Sequence, residues 1–574
     1  MDNTINMKKI IYSFAIISSM FFTTACSDFF NPEASDVLVE DNYINDNTEV
    51  ITGYLGVAAT VQSVAEQTMF LEGLRGDFLE PTTNATREMW DIYNYQDLEG
   101  NTFASPKGYY NVIINANDYL SHLFAYREKD STSVREATFK GLVSSVLRYK
   151  AWAYLQLAKI YGEAIYFDDP ITSIGEINKY PMLGFDDLIS KSIDLIEIGV
   201  NGIDGKSSVI WTQELGRYYY NGVELTDGYL NMNCPPAEIL LAELYLNKKD
   251  YQKVRDNCLA LLNANCPYGR LRMNLNYYNA EWKNMFSRYT GTEDISIQVF
   301  DKNYGQVNNL YNYYSNSLGS KYYFRPTPTS ILRFNSQYQD GDVVSGDIYR
   351  GENSTYKVVN NDTVVYKFIQ TNPSTTAVYL KLYRASDLYM FLVEANIGLG
   401  RLQEALTFLN KGFRGVTLTI LNNKFNAPYE DYPVSMHGGG KGENANAGVR
   451  GLVNLNAVGT FALSSPTALD SLTNMRRLDS LIIEEACMEF GGEGKALYTM
   501  NRIIRKWSNS ADKSWASKWL NSANSNDAML LWGSKMQTDW ADKIGAKYKN
   551  GMGAEVSSKL KADLNNWFIK YNLK

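Results

Sequence analysis

Residues 141–162 read GLVSSVLRYKAWAYLQLAKIYG, and this stretch decides the fold class. Its large apolar residues recur at steps of three and four, the spacing of one face of an α-helix. The pattern predicts a long helix that ends at Gly162, with Pro170 a short way beyond it. Because a helix with one apolar stripe must bury that stripe, the segment predicts a helical scaffold.

Two further segments each pair two helices across a short polar turn. One runs from Ala237 to Leu262 and is broken at 247–250, and the other runs from Ala385 to Phe413 and is broken at 398–400. Residues 241–254 align with 392–405 without a gap. An apolar helix, a polar turn and a second helix resemble the tetratricopeptide unit, whose copies bury their faces on one another.

Four helix pairs emerge from this spacing. The other two are Leu142–Tyr161 with Phe185–Val200, and Leu478–Phe490 with Lys495–Trp507. We therefore predict a mostly α fold, in which four tetratricopeptide-like helix pairs form a right-handed scaffold with long loop-rich insertions.

The insertions are rich in Asn, Gly, Ser, Thr and Tyr and have little helical period; they are 75–110, 205–235, 267–375 and 421–465. Short alternating runs within them predict minor β structure at Ile295–Phe300, Tyr356–Val359 and Thr363–Phe368. The polar residues at 360–362 predict a hairpin turn. Repeat proteins often bind ligands on the face that carries such insertions.

The composition favours a binding role over catalysis. The chain has 42 Tyr, 24 Phe and 10 Trp but only two histidines, His122 and His437. A net charge of −8 without a long basic block argues against a nucleic-acid partner. With two distant histidines, no nucleophile, base and orienting group can be assembled, so Ser-His and Cys-His catalysis have no support.

The amino terminus has the pattern of a targeting segment. Lys8-Lys9 precede an apolar run from Ile10 to Phe22, and Thr23-Thr24-Ala25-Cys26 follow it. The run is short for a membrane span but suits a signal peptide. Small residues that end at a cysteine resemble a bacterial lipobox, although Thr23 stands where leucine is usual. We expect cleavage after residue 25 and acylation, palmitate included, of Cys26; a plain secretory signal is the alternative.

Four stretches in order along the chain resemble the SusD/RagB family of outer-membrane nutrient-binding lipoproteins of Bacteroidetes. They are GYYNVIINAN at 108–117, LRYKAWAYLQLAKIYG at 147–162 followed by Asp168-Asp169-Pro170, YRASDLY at 383–389 running to Glu394-Ala395-Asn396, and IIEEACMEFGGEG at 482–494. Ala486-Cys487 depart from the family, which usually has arginines there.

The resemblance implies a domain plan and a partner. Residues 1–25 would be the lipoprotein signal peptide, 26–235 a SusD-like N-terminal region, and 236–574 a RagB/SusD-like C-terminal region. The protein would be anchored by lipid in the outer membrane and face the cell exterior. It would bind oligosaccharide for glycan uptake and sit as a lid on a SusC-like TonB-dependent transporter.

Aromatic residues in the insertions are the candidate ligand contacts, because sugars pack CH-rich faces on rings and bind polar groups with their hydroxyls. For any one of these rings, pinning a loop to the scaffold is the ordinary role. The candidates are Arg75, Asp77, Trp90, Tyr93, Tyr95, Trp282, Tyr289, Tyr311, Tyr313 and Tyr322.

Two alternatives stay open at this point. The same fold could bind peptides, or the protein could be a glycan-degrading enzyme, which needs two carboxyl groups facing one sugar. Glu485 and Glu489 lie one helical turn apart, but salt bridges are the ordinary explanation. The sequence predicts no catalytic residue.

Cofactor and thiol signals are weak. Asp340-Gly341-Asp342 offers oxygen ligands for calcium without the spacing of a full calcium loop, so a turn is favoured and no cofactor or metal is expected. The glycine-rich stretch 437–442 lacks the context of a phosphate loop. Cys258 and Cys266 could form a disulfide or remain buried thiols.

Overall fold

The computed structural model describes residues 44–171, 176, 179–207, 218–220, 223–225, 232–262, 282, 285–286, 293–300, 306, 308–339, 346–369, 378–410, 412, 432, 448–453, 455, 461, 467–509, 512–549 and 551–571. Its helices are α1 (Asn47–Arg75), α2 (Arg87–Tyr93), α3 (Lys107–Lys129), α4 (Glu136–Tyr161), α5 (Phe185–Glu197), α6 (Ala237–Lys248), α7 (Tyr251–Leu262), α8 (Leu310–Tyr314), α9 (Pro328–Asn335), α10 (Ala385–Gly398), α11 (Leu402–Leu409), α12 (Val449–Leu452), α13 (Ala468–Glu489), α14 (Ala496–Trp507), α15 (Ala523–Gly545) and α16 (Met552–Ala562). The mostly α prediction is confirmed.

The predicted helix pairs pack as pairs: α4 with α5, α6 with α7, α10 with α11, and α13 with α14. The breaks predicted at 247–250 and 398–400 are present but lie slightly later, at 249–250 and 399–401. Helix α13 begins ten residues earlier than predicted, at Ala468 against Leu478. The reason is a capping box, in which the Thr467 side chain accepts from the Asp470 backbone amide and Asp470 bonds back to Thr467.

Helix α4 ends at Gly162, as the sequence predicts. Gly162 has a φ of +79°, and a Cβ added there would lie 2.5 Å from the Phe568 ring. Only glycine combines the left-handed conformation with this close approach. The helix end is therefore fixed against the C-terminal segment of the chain.

The described strands form two-stranded antiparallel pairs: β1 (Leu79–Pro81) with β7 (Phe324–Pro326), β2 (Glu163–Ile165) with β3 (Met182–Gly184), β4 (Tyr218–Tyr220) with β5 (Val223–Leu225), β6 (Asp294–Phe300) with β10 (Val378–Arg384), and β8 (Tyr356–Val359) with β9 (Asp362–Val365). The predicted hairpin is confirmed, because Asn360 and Asn361 both have positive φ between β8 and β9. The predicted strand 363–368 is too long, since Tyr366–Phe368 forms a 3-10 turn.

Helices α1 and α3 lie outside the four pairs and add to the core. Helix α1 is buried along most of its length and packs on α3, α4 and α14. It starts at a capping box in which Asp46 accepts from the Thr48 and Glu49 backbone amides.

Among the described helices, none is both long enough and apolar enough to cross a bilayer.

A buried ionic network joins the end of α13 to the start of α10. Arg384 donates through Nη1 to Glu489 Oε1 at 2.7 Å, and through Nε to Glu493 Oε2 at 2.9 Å. Arg350 donates to Glu485 Oε1 and Glu489 Oε2, each at 2.6 Å. Both arginine side chains are fully buried.

The network also explains the paired glutamates. Burial opposes ionisation of Glu493, but Arg384 and Lys367 outweigh it and hold the pKa of Glu493 well below its ordinary value. Glu485 accepts from Arg450 as well, at 2.8 Å. Because these carboxylates are buried and paired with cations, they are structural, as the sequence analysis favours.

Replacing Arg384 by methionine removes a buried cation that pairs with Glu489 and Glu493. Breaking a buried ion pair in this way lowers stability by about 3–5 kcal/mol. We expect R384M to lower the free energy of unfolding by about that much in urea titrations. The matched control is R87M, because the Arg87 side chain is 93% exposed and lies 3.7 Å from Asp91. A loss below about 1 kcal/mol in R384M, the level typical of surface changes, would contradict the structural role.

Candidate functional site

A cleft of about 610 Å³ opens between the C-terminal half of α1, the segment that leads into α3, and helix α8. Its lining mixes rings with polar side chains: Ser63, Glu66, Gln67, Phe70, Gly100, Thr102, Phe103, Ser105, Lys107, Gly108, Asn111, Tyr313 and Tyr571. This volume lies in the range of small-molecule sites in proteins.

Four aromatic residues line the cleft, and three of them, Phe70, Phe103 and Tyr313, form one contiguous wall. The Phe70 ring stands nearly perpendicular to Phe103, with centroids 6.1 Å apart, and to Tyr313, at 6.2 Å. Tyr323 flanks Tyr313 at 5.3 Å. Phe70 is buried and Phe103 is half-exposed. Edge-to-face contacts are favourable, so the buried ring holds the more exposed ones in place.

A glutamine on α1 fixes the segment that carries Phe103. Gln67 Nε2 donates to the carbonyl oxygens of Phe103, at 2.9 Å, and Ser105, at 2.8 Å. Three residues after Ser105, Gly108 lies so close to α1 that an added Cβ would stand 2.7 Å from a Val64 methyl. The start of α3 is therefore pressed against α1 beside the ring wall.

A second α1 side chain positions Tyr313. Glu66 accepts from the backbone amide of Asn309 at 2.6 Å and from its side-chain amide at 2.9 Å. Asn309 precedes α8, which carries Tyr313. Burial raises the pKa of Glu66 above its ordinary value, and burial raises the pKa of Tyr313 to about 12, which keeps its hydroxyl protonated.

The chemistry of the cleft suits binding. The hydroxyls of Ser63, Thr102 and Ser105 and the amide of Asn111 can donate and accept hydrogen bonds, and Lys107 can donate. Glu66 is the only carboxyl group among the described lining residues. A two-carboxylate glycosidase mechanism therefore lacks its second group at this cleft.

The predicted ligand residues are spread over several places. Tyr313 lies in the cleft, and Tyr311 lies half-buried on the same helix. Tyr322 is buried and donates its hydroxyl to the Thr363 carbonyl at 2.8 Å. Trp90 is 36% exposed on α2, with its ring 5.8 Å from Tyr93, and is outside the cleft lining.

Two predicted residues, Arg75 and Tyr95, are buried within the scaffold. The Arg75 guanidinium lies 3.5 Å from the Tyr95 ring centroid and donates to the carbonyls of Asn566, at 3.0 Å, and Phe568, at 2.9 Å. These contacts tie the end of α1 to the C-terminal segment. In this arrangement Arg75 and Tyr95 hold the fold, and a ligand contact by either stays a prediction.

Three more predicted residues are also buried. Asp77 pairs with Arg333. Tyr93 packs against Tyr548 with ring centroids 4.7 Å apart. The Trp282 ring lies 5.1 Å from the Arg384 guanidinium, against the ionic network. These three side chains pack inside the protein rather than on its surface.

Some predicted features lie outside the described residues. They are Cys26, Cys266, Tyr289, the Asp340–Asp342 turn, and the glycine-rich stretch with His437. Cys258 is a buried free thiol, and burial raises its pKa. His122 lies 3.5 Å from Asp118 on the surface of α3. Within the described residues no cluster of metal-binding side chains occurs.

Phe70, Phe103, Gln67 and Glu66 are cleft residues that the sequence did not predict. Phe70 lies in α1, outside both the four predicted helix pairs and the predicted insertions. One signal could have found this face: Glu66, Gln67 and Thr68 separate the apolar residues Val64-Ala65 from Met69-Phe70. Polar side chains there need partners, and they find them in the segments that build the cleft.

Comparison with known proteins identifies the fold. No family model and no curated protein matches the sequence. A SusD superfamily protein from Bacteroides vulgatus ATCC 8482 matches in structure over 87% of this chain and 93% of its own, with 13% identity and a TM-score of 0.53. A laminarin-binding SusD-like protein matches over 84% and 96%, with 13% identity and a TM-score of 0.52.

A third solved structure agrees with these two. A SusD-like carbohydrate-binding protein from the same Bacteroides vulgatus strain matches over 80% of this chain and 84% of its own, with 14% identity and a TM-score of 0.51. The chain has a SusD-like fold, which confirms the fold predicted from the four sequence landmarks. Likeness at this identity shows the fold alone.

A buried acid and a buried lysine near Arg75 make stability depend on pH. Burial raises the pKa of Glu72 to about 8, although Glu72 accepts from the Leu497 backbone amide at 2.7 Å. Burial lowers the pKa of Lys547 to about 7. Because the pKa of Glu72 is higher in the folded state, the free energy of unfolding falls as pH rises from the ordinary pKa of a glutamate toward 8. Lys547 alters the free energy of unfolding only above about pH 7.

We therefore expect stability to fall between pH 5 and pH 7 through Glu72, by at most about 1.4 kcal/mol per pH unit. E72Q should flatten this slope and match or exceed the wild-type stability at pH 7. Unfolding midpoints measured across this window provide the check, with E555Q on the exposed face of α16 as control. An unchanged slope in E72Q would show that Glu72 is ionised in the folded protein.

Proposed function

We propose, from the SusD-like fold and the cleft on α1, that this protein is a cell-surface lipoprotein that binds oligosaccharide. It would pass its ligand to a SusC-like TonB-dependent transporter in the outer membrane. The observation that carries the proposal is the pairing of a ring wall, Phe70, Phe103 and Tyr313, with a rim of hydroxyl and amide groups.

The geometry of the cleft fits a sugar better than a charged or wholly apolar ligand. A pyranose presents a CH-rich face, which packs on an aromatic ring, and a set of hydroxyls, which bond polar side chains. Phe103 is the half-exposed ring of the wall, and the Gln67 bonds hold its segment in one position. A rim held in one position loses little entropy when a ligand binds.

Sequestration is the proposed mechanism. The protein captures the glycan at the membrane surface, and the transporter performs the energised import. Two structural neighbours are a laminarin-binding SusD-like protein and a SusD-like carbohydrate-binding protein, which supports a glycan over a peptide as the ligand here. The single carboxyl of the described cleft supports binding without hydrolysis.

The site can be tested by comparing two aromatic substitutions. F103A removes the half-exposed ring of the cleft, and we expect the Kd for the preferred oligosaccharide to rise about tenfold, the loss of roughly 1.5 kcal/mol of stacking. W90A removes a ring outside the cleft lining and should leave the Kd unchanged. Calorimetry against a glycan panel and a peptide pool gives the measurement.

The opposite pattern places the site elsewhere. If W90A weakens binding and F103A does not, the ligand contacts the α2 surface that carries Trp90. If only peptides bind to the wild-type protein, the sugar assignment is wrong. Hydrolysis of any glycan by the purified protein would replace the binding proposal with an enzymatic one.

The lipid anchor has its own test. We expect the wild-type chain, expressed in a bacterium that matures lipoproteins, to incorporate labelled palmitate and to fractionate with the outer membrane. C26S removes the thiol to which the lipid would attach and should lose both properties. S27A, one residue away, is the matched control. Palmitate labelling that persists in C26S would refute the lipobox assignment.

A further inference from the structure

The cleft on α1 has a fourth ring, Tyr571, which the C-terminal segment of the chain contributes. The same side chain lines a second, smaller cavity of about 250 Å³. Chain neighbours divide in the same way, since Glu99 lines the smaller cavity and Gly100 lines the cleft. Tyr571 and the step from Glu99 to Gly100 therefore mark the place where the two cavities meet. Besides Tyr571, the smaller cavity is lined by Asp97, Glu99, Tyr161, Glu163, Ile569 and Lys570.

The size of the smaller cavity suits an extension of the cleft. Its volume of about 250 Å³ falls below the range of about 300–1,000 Å³ that is usual for a small-molecule site. The cleft, at about 610 Å³, lies within that range. A ligand that fills the cleft and continues past Tyr571 would occupy both cavities.

The Tyr571 ring is half-buried and is held from behind by a buried tyrosine. It meets the Tyr161 ring edge to face, with centroids 6.4 Å apart. Tyr161 in turn donates its hydroxyl to the Ala104 carbonyl at 2.8 Å, in the segment that also lines the cleft. The Ile569 backbone amide donates to the Ile160 carbonyl at 2.8 Å. These contacts fix the ring at the junction while part of its surface stays exposed.

The segment 97–102 forms a wall along both cavities and is also held in place. The Asn101 backbone amide donates to the Leu98 carbonyl at 3.0 Å, and its side-chain amide donates to the Glu88 carbonyl at 2.9 Å. The Thr102 backbone amide donates to Glu88 Oε1 at 2.7 Å. Gly100, with a φ of +73°, makes the turn between them. Walls that are fixed before binding lose little entropy when a ligand arrives.

The polar groups of the smaller cavity are mostly hydrogen-bond acceptors. Asp97, Glu99 and Glu163 are exposed, and Lys570 is the one cation of the described lining. Asp97 accepts from the Glu99 backbone amide at 3.1 Å. Within the described residues, no lysine or arginine nitrogen lies within 4.0 Å of these three carboxylates. Carboxylates accept hydrogen bonds and do not donate them, so the matching ligand carries donors without negative charge.

We propose that the binding site on α1 continues past Tyr571 and takes a neutral glycan chain longer than a disaccharide. This inference rests on the proposed function, since it extends the same cleft. One part of the chain packs on Phe103 and Tyr313, and the next packs on the Tyr571 ring. The sugar unit beyond Tyr571 donates its hydroxyls to Glu99 and Glu163. The site therefore selects its ligand by length and by lack of negative charge.

Calorimetry on the full mature chain tests the extension with a short and a long oligosaccharide from each of three neutral series. The pairs are laminaribiose with laminarihexaose, maltose with maltohexaose, and xylobiose with xylohexaose. In the series that binds, we expect the hexasaccharide to bind about tenfold more tightly, because only the longer chain reaches past Tyr571. The Kd of the hexasaccharide should rise about tenfold in Y571A, which loses the ring, and about fivefold in E163A, which loses a charge-assisted acceptor.

Controls separate this inference from folding and from the proposed function. Y571F keeps the ring and should recover most of the affinity that Y571A loses. E555A removes an exposed carboxylate outside both cavities and should leave the Kd unchanged.

F103A shows which of the two claims fails. If F103A weakens binding while Y571A and E163A bind as the wild type does, the extension is refuted and the cleft on α1 stands. A hexasaccharide that binds no more tightly than its disaccharide has the same meaning. If no series binds, or if F103A leaves hexasaccharide affinity unchanged, the cleft on α1 is refuted together with its extension.

Discussion

The pairing of Arg384 with Glu489 and Glu493 is the interaction on which the arrangement of this protein depends. It joins the start of α10 to the end of α13, and Arg350 extends it to the insertion that carries β8 and β9. Buried charges of this kind are costly unless every partner is present. The network therefore fixes where the last two helix pairs and the insertion meet.

A continuous path of aromatic rings leads from this network to the cleft. Trp282 and Phe286 lie against the Arg384 guanidinium, and ring contacts between 5.7 and 6.3 Å then link Phe286, Phe368, Tyr314, Phe324 and Phe70 in turn. The rings on this path thus pack an insertion onto the helices. Only at its end does the path present rings, Phe103 and Tyr313, to a cleft.

The sequence predicted the fold far better than the site. Helix pairs follow from a period that local residues carry, and the hairpin follows from two asparagines that accept positive φ. The site depends on which rings stay exposed after folding, and loop composition does not carry that information. Arg75, Tyr95 and Trp282 resemble ligand residues in sequence, but partners distant in the chain bury them. Helix α1 supplies Glu66, Gln67 and Phe70 to the cleft but lies outside the four predicted helix pairs.

We propose that oligosaccharide binds against Phe103 and Tyr313, in the cleft between α1 and the start of α3. A crystal structure of the mature protein with a bound oligosaccharide tests this most directly. We expect a sugar ring packed on Phe103, with its hydroxyls bonded to the rim that Ser105, Lys107 and Asn111 provide. Sugar bound at the Trp90 surface, with the α1 cleft unoccupied, would contradict it.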